Sequence, residues 1–578
     1  MEEFVGYVTG NEGTSPYEFS VRIKNESGRT PKRMLRIGDI VKTSFEYENF
    51  GRVTIYGVVT EINSRWDEEY IPGFEEILMI EKKVKPTMKT FTARVVTTRI
   101  ISEKDRFHVP DVPPVPGSEV YLVGRENIDE ALGFDEIKRK GKALPVGVLD
   151  NGEVCYLDLD YILGKNGAHI NISGQSGVAS KTSYMTFLMR SIIDTIKDQK
   201  PIFIIFNVKG QSLMNIDKFS RSWMIAQKEE IGKYWKSLYE KMGVKAEPFD
   251  NVEFYAVMKS TVNRRANSIR PTAKVFWWST EDFFEYDLFE MIFDPEELSR
   301  NSNLMLGVIL IEEYVEEAKK RKKMTKGKGS SEWRLPKDPR DLVEMIENEN
   351  SHLHKFLIEK GLQKTTLKLL QRRLQLAIRS GLDLVWSYGS EEEKKRAKIN
   401  WNRQGGITVV DISKLRTRIQ YIVVGGILRE VMRWKETSGT ISTSPVFIMI
   451  DELNKYSPRS EKSEIASIFR DVAERGRSFG IILVGAEQTA SEVDYRVVTQ
   501  SSTTVVGRQK WVELGSAEYG HLLPEQKRKA ATLRQGEVIV DQPFLRVPLA
   551  VRFPFPAWAL NEDDVHIEED ESYEDILM

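Results

Sequence analysis

Residues 173–183 read Ser-Gly-Gln-Ser-Gly-Val-Ala-Ser-Lys-Thr-Ser and lie between an apolar run and a stretch with helical spacing. A glycine-rich turn from strand to helix offers an anion a set of backbone N–H groups and a helix N-terminus. Such a turn belongs to α/β sheets whose parallel strands feed covering helices. The segment departs from the phosphate-loop pattern Gly-x-x-x-x-Gly-Lys-[Ser/Thr]. Ser180 stands where glycine should precede Lys181, and the span Gly174 to Lys181 is one residue longer. In the cradle read from this pattern, Gly174 and Gly177 supply permissive dihedrals. Gln175, Ser176, Val178, Ala179, Ser180 and Ser183 line it. Lys181 neutralises β/γ-phosphate oxygens and Thr182 ligates Mg²⁺.

A chain of 578 residues exceeds one hydrophobic core, so several domains are expected. Lys and Arg number 84 against 86 Asp and Glu, so any nucleic-acid contact must come from a local patch. The single cysteine, Cys155, excludes disulfide scaffolding within a chain, and six scattered histidines argue against a structural zinc. With no apolar run long enough for a membrane span and no leader pattern, the expectation is a cytoplasmic protein without a membrane partner.

Short β-prone runs at 4–8, 18–23, 39–45, 53–62, 92–97 and 118–122 predict a small N-terminal β-barrel over residues 1–150. Residues 110–116, rich in proline, read as a stiff connector. Beyond Cys155 the pattern becomes α/β. Residues 168–172 form an apolar strand, and 184–196 a helix with Met185, Leu188 and Ile192 on one face. Residues 201–206 are wholly apolar, as in a parallel sheet covered on both sides. Further strands are expected at 252–257 and 274–278. Residues 281–400 read as a helical insertion with Leu367, Leu370, Leu374 and Ile378 on one stripe, broken by a Lys-rich linker at 319–328. Apolar strands return at 406–413, 446–450, 480–484 and 503–506. The core is thus split into 151–280 and 401–555, and an acidic tail, 556–578, is expected to be disordered or to dock on a basic neighbour.

Three further segments carry chemistry. Phe447-Ile-Met-Ile-Asp451-Glu452 is an apolar strand ending in two acids. Asp451 suits the Mg²⁺ shell and Glu452 suits polarising an attacking water. Ile481-Ile-Leu-Val-Gly-Ala-Glu487-Gln488-Thr489 places Gln488 at a strand tip, where it can sense a γ-phosphate. Glu474-Arg-Gly-Arg477-Ser-Phe-Gly480 precedes that strand, and Arg477 can act as a finger in a neighbouring subunit's site.

In this order the segments resemble the HerA family of the HerA/FtsK superfamily. Arg477-Ser-Phe-Gly480 and Ala486-Glu-Gln-Thr489 are similar to its Arg-x-Phe-Gly and Thr-Gln segments. Ile450-Asp-Glu-Leu-Asn-Lys-Tyr-Ser-Pro458 resembles its acidic strand end, and 536–540 its last core strand. The resemblance implies a RecA-like P-loop ATPase core behind an N-terminal barrel. It also implies ATP and Mg²⁺ as ligands, with Lys181, Thr182, Asp451, Glu452, Gln488 and trans-acting Arg477 as working residues. It implies a hexameric ring on double-stranded DNA, paired with an effector such as a nuclease or a sirtuin-like enzyme. The chain departs from the family at the altered loop and at Asn207-Val-Lys209-Gly210, where an acid followed by Gly-Glu is usual. Both departures suit a divergent anti-phage defence branch better than DNA-end resection.

Three functions follow as expectations. The first is a DNA translocase, with Lys209 a candidate for a DNA-contacting loop. The second is a weakly active ring that scaffolds an effector, and the third a pump for conjugative DNA or protein. No surplus acid cluster suggests a nuclease on this chain.

Overall fold

The computed structural model describes residues 3–10, 13–24, 34–66, 89–104, 111–175, 181–210, 213–324, 333–437, 444–460 and 463–566. The β-prone runs of the N-terminal segment become β1 (Glu3–Thr9), β2 (Glu18–Ile23), β3 (Ile40–Tyr47), β4 (Gly51–Trp66), β5 (Lys89–Ser102) and β6 (Glu119–Leu122). They close into an antiparallel barrel in the order β1-β2-β5-β4-β3-β6. Val21, Val41, Val53, Ile55, Val59, Val95 and Val120 fill it. Closure removes the open edges that short polar-faced strands would otherwise present.

The barrel's strands end at Leu122, although the sequence pattern extends that domain to residue 150. β7 (Ala143–Val148) and β8 (Val154–Asp158) belong to a second sheet. Its other strands are β9 (Ala168–Ser173), β10 (Ile202–Asn207), β11 (Val252–Ala256), β12 (Lys274–Val275), β13 (Ile407–Asp411), β14 (Val446–Asp451), β15 (Ile481–Glu487), β16 (Ser501–Val506), β17 (Glu537–Asp541) and β18 (Leu549–Arg552). The order is β12-β11-β13-β10-β14-β15-β9-β16-β17-β18-β7-β8. From β12 through β16 the strands are parallel, and from β16 onward antiparallel. The run expected at 274–278 is a strand only over its first two residues.

Why the central strands are apolar throughout is visible in their alternation. Ile202, Ile204 and Phe206 join one core, and Phe203 and Ile205 the other. Val446, Ile448 and Ile450 likewise face the first, and Phe447 and Met449 the second. A side-chain period of two with both faces covered requires apolar residues at every position. Helix α1 (Lys181–Thr195) covers the second face through Tyr184, Met185, Leu188 and Ile192.

The helical insertion enters after β12 and returns at β13. Its helices α2 (Ser302–Met324), α3 (Pro339–Glu347) and α4 (Lys364–Ser380) pack on the first face, with Leu367, Leu370 and Leu374 at the contact. Beside them lie α5 (Thr417–Thr437) and α6 (Glu464–Arg475). The insertion therefore shares a core with the sheet.

The segment expected to be an acidic tail docks on its own chain over residues 556–566. Trp558 is buried and donates to Thr186 Oγ1 of α1 at 3.0 Å. Asp564 accepts from the Ser220 and Ser222 hydroxyls, both at 2.6 Å, and from the Ser222 N–H at 2.8 Å, none of them a basic group. Residues 567–578, and 325–332 of the Lys-rich linker and its surroundings, lie outside the described residues. No helix among the described residues is long and apolar enough to cross a membrane.

Candidate nucleotide site

Strand order determines which side chains can meet. β15 runs between β9 and β14, pairing Glu487 with Ser173 on one side and Asp451 with Ala486 on the other. The three strands end side by side at the C-terminal edge, where ligands bind in open α/β sheets. Gly174, the two acids and Gln488 are thereby brought together from residues up to 314 apart in sequence.

Lys181 is the first residue of α1. It is buried, and its ammonium donates to the Gly174 carbonyl at 3.0 Å. Burial pushes the lysine's pKa down; Asp451, and more weakly Glu487 and Glu452, pull it up. Thr182 Oγ1 donates to Asp451 Oδ2 at 3.4 Å. One hydroxyl facing one carboxylate is the protein share that Mg²⁺ takes when phosphates and waters supply the rest. The described residues contain no cluster of three or more His, Cys, Asp or Glu that would form a closed metal cage.

Asp451 Oδ1 also accepts from the Glu452 N–H at 2.9 Å, fixing the turn that ends β14. Glu452 takes φ 60° and ψ 48°, a left-handed backbone that a residue of this size rarely adopts. The turn drives Leu453 against β15, and Gly485 makes the room. A Cβ at residue 485 would lie 2.3 Å from Leu453 Cδ2.

The Glu452 carboxylate is held on both oxygens. Lys209 pairs with Oε1, Lys455 with Oε2 at 2.6 Å, and Gln488 Nε2 donates to Oε1 at 3.4 Å. Burial alone would raise the Glu452 pKa; the two ammonium groups outweigh it and hold the carboxyl below its usual range. The carbonyl of Gln488 accepts from Gln509 Nε2 at 3.0 Å, and Gln509 also donates to Tyr519 Oη at 3.0 Å, so the strand tip is fixed.

Of the expected phosphate cradle, the structure describes Gly174, Gln175, Lys181, Thr182 and Ser183. Gly174 N–H donates to the Glu487 carbonyl at 3.1 Å and Gln175 N–H to the Arg508 carbonyl at 2.9 Å. Ser176, Gly177, Val178, Ala179 and Ser180 lie outside the described residues. Arg477 is not at the site of its own chain. It sits before β15 at the opposite edge of the sheet, donating to the carbonyls of Gly164 at 2.9 Å and Lys165 at 2.7 Å. The seven residues of β15 put it on the order of 20 Å from Glu487.

No family model matches the chain, and no curated protein matches its sequence significantly. Among solved structures it is similar to the bacterial conjugative coupling protein TrwB, in its unbound form and with ADP and Mg²⁺. Identity is 12% and 13%, TM-score 0.45 and 0.46, over 75% of this chain and 94% of TrwB. It is also similar to VirB4 of Thermoanaerobacter pseudethanolicus: 13% identity, TM-score 0.42, 72% of this chain and 96% of VirB4. A third is the genome packaging NTPase B204 of Sulfolobus turreted icosahedral virus 2, bound to ATP-gammaS. Identity is 14% and TM-score 0.20, over 26% of this chain and 70% of B204. At these scores the likeness is one of chain course, and chemistry must come from the side chains.

Those side chains include some whose roles the sequence pattern left open. Glu487 is fully buried beside Ser173 and Gly174. Burial pushes its carboxyl well above the usual range, opposed by Asn171 and Lys181. Its place at the end of an apolar strand was the available signal. Lys209, a candidate for a DNA-contacting loop, places its ammonium on Glu452. Asn207 donates to Asp411 Oδ1 at 3.0 Å, and Ser268 Oγ donates to Asp411 Oδ2 at 2.6 Å. An acid at residue 207 would set two carboxylates against each other, which accounts for the amide found there.

Proposed function

We propose that this chain hydrolyses ATP and couples that hydrolysis to movement on double-stranded DNA as a homohexameric ring in the cytoplasm. In this reading the ring works with an effector enzyme, such as a nuclease or a sirtuin-like protein, in anti-phage defence or DNA-end processing. The observation that carries the hydrolase reading is the meeting of Lys181, Thr182, Asp451, Glu452 and Gln488 at one sheet edge. The ring, the DNA and the effector rest on the order of motifs and on the barrel that precedes them.

Each residue then has a task. Lys181 binds the β/γ oxygens, and Thr182 with Asp451 would hold Mg²⁺. The bound ion supplies charge neutralisation on the phosphates. Glu452 orients the attacking water and accepts its proton. Gln488, hydrogen-bonded to Glu452, links the γ-phosphate position to β15. Arg477 of an adjacent copy stabilises charge on the transferred phosphoryl group.

One observation favours the second reading, a slow ring that mainly scaffolds its effector. Glu452 is clamped by Lys209 and Lys455, and a carboxylate so paired is a weaker base. Phosphate release by the purified protein, with and without duplex DNA, separates the two. Turnover stimulated by DNA and abolished by Lys181→Ala is the expected result. A wild-type protein that releases no phosphate even with DNA and partner present overturns the motor. Native mass measurement tests the ring.

A further inference from the structure

The chain as a whole is balanced, with 84 Lys and Arg against 86 Asp and Glu, so a polyanion must find a local excess of cations. One lies at the C-terminal edge of the sheet, on the loops that follow the neighbouring parallel strands β11 and β13. Residues 257–273 and 412–418 contain seven Lys and Arg and no Asp or Glu. Arg264 is spent on Glu393 at 3.0 Å and Arg270 on Asp217 at 2.6 Å. Lys259, Arg265, Lys414, Arg416 and Arg418 form no ion pair among the described residues, and all but the half-buried Arg418 are exposed.

Both loops hold these charges where the fold disfavours them. Residues 258–266 form a hairpin in which the Lys259 N–H donates to the Arg265 carbonyl at 2.8 Å, so the two cations stand opposite each other. Like charges directly opposite across a strand pair are destabilising. Lys414 and Arg416 precede α5, and Arg418 lies in its first turn. That turn has no acid, and a helix N-terminus is already positive. An anion from outside the chain would relieve both arrangements.

One carboxylate joins the two loops. Asp411, buried at the end of β13, accepts from Ser268 Oγ at 2.6 Å and from Ser413 Oγ at 2.7 Å. Asn207 of β10 donates to the same carboxylate, and Lys209, two residues on, holds Glu452. The cationic loops and the nucleotide site thus share one hydrogen-bonded edge.

The chemistry of the surface selects its partner. Ser260, Thr261, Asn263 and Thr417 stand among the cations, and such hydroxyls and amides join Lys and Arg in contacts to phosphate and sugar. Of the large apolar side chains in these loops only Val262, at the hairpin tip, is exposed. A protein interface is anchored on a buried aromatic and aliphatic cluster, which a single valine does not supply. We propose that the loops after β11 and β13 bind the sugar–phosphate backbone of duplex DNA through Lys259, Arg265, Lys414, Arg416 and Arg418. The proposal rests on the DNA part of the proposed function and assigns it a surface.

Fluorescence anisotropy of a labelled mixed-sequence duplex, with the full-length protein across a salt series, tests it. Five phosphate contacts give a slope of log affinity against log salt of about −4.5. Lys259→Ala/Arg265→Ala and Lys414→Ala/Arg416→Ala each remove two contacts. Each should reduce the slope by about two and weaken binding roughly tenfold to a hundredfold near 0.1 M salt. The thermal midpoint should hold or rise, since each change removes mutual repulsion. Wild-type affinity and slope in both variants overturn the surface and leave the DNA reading standing. Binding lost together with the thermal midpoint makes the cations structural and also overturns it. Polyglutamate of matched charge that binds the wild type as tightly as duplex overturns it in favour of an acidic protein partner. A wild-type protein that binds no duplex overturns both the surface and the DNA reading.

Discussion

The two ends of β15 belong to one strand with one apolar interior, yet they are chemically unlike. At the C-terminal end Glu487 and Gln488 sit among Lys181, Asp451 and Glu452, with carboxylates and ammonium groups in contact. At the N-terminal end Arg477 bonds to the carbonyls of Gly164 and Lys165. A rigid strand on the order of 20 Å long keeps the two apart. On the proposed reading, one chain carries a nucleotide site and an arginine meant for such a site, and it cannot bring them together. A second copy that sets its N-terminal edge against this C-terminal edge can.

The largest effect should come from Arg477→Ala. An arginine supplied in trans is worth about 10³–10⁵ in rate, so turnover should fall by at least about a thousandfold while nucleotide still binds. Mixing that variant with Glu452→Gln subunits should restore part of the activity, since some interfaces then pair an intact arginine with an intact base. Single-turnover phosphate release reads both. An Arg477→Ala protein that turns over like wild type reduces the arginine to a brace for residues 164–165, and the two ends of β15 would have no functional relation.

Glu452→Gln attacks the other end. Loss of a positioned general base costs roughly 10²–10⁴ in rate. The amide keeps the shape and can still accept from Lys455, so ATP affinity should hold. Equal loss in affinity and rate would show that the residue serves binding and not the chemical step.

These two residues also mark how far the sequence could be read. Asp451 and Glu452 were legible because an apolar strand ending in acids is a local pattern, and strand ends define the ligand edge. Arg477 was legible as a residue before a strand, and its remoteness from its own site follows from strand length. Lys209 was not legible. A lysine two residues past β10 meets Glu452 only because β10 and β14 are neighbours, and that adjacency joins residues more than 200 apart. The docking of 556–566 escaped for the same reason. Its acidic composition suggested disorder or docking on a basic neighbour, whereas Trp558 and Asp564 find partners on α1 and at Ser220 that no local pattern announces. The last β-prone run, 118–122, is also the barrel's last strand; the bound at residue 150 takes in β7, which pairing with β18 assigns to the second sheet.

A buried histidine ties the two ends together. His169, in β9, accepts the Leu483 N–H on Nδ1, so its Nε2–H donates to the Ala473 carbonyl, both at 2.9 Å. It thereby joins the loop strand, the middle of β15 and the end of α6 that leads to Arg477. Burial lowers its pKa to about 4, against an ordinary 6.5. The folded imidazole is neutral where the unfolded one binds a proton. Its contribution is complete above pH 6.5 and is lost as pH falls toward 4, amounting to about 3 kcal/mol. Urea unfolding midpoints measured between pH 7.5 and 4.5 should fall more steeply in wild type than in His169→Asn, which cannot titrate. Parallel slopes would remove the histidine as a link between the edges.

The smallest effect should follow Lys209→Ala. Lys209 is half exposed, and an ion pair of that kind is worth about 1 kcal/mol or less, a factor of about five. Its removal takes away one of the two ammonium groups that hold the Glu452 carboxyl below its usual range. The folded pKa must then rise. The acid limb of the turnover–pH profile, set by ionisation of the base, should move to higher pH. Above that limb the less firmly paired carboxylate is the stronger base, so the plateau should rise, by no more than about fivefold. A limb that stays in place would mean that Lys455 alone sets the carboxylate's affinity for protons. A plateau that falls would make Lys209 a positioning group for Glu452, and the dense end of β15 would then need every charge it holds.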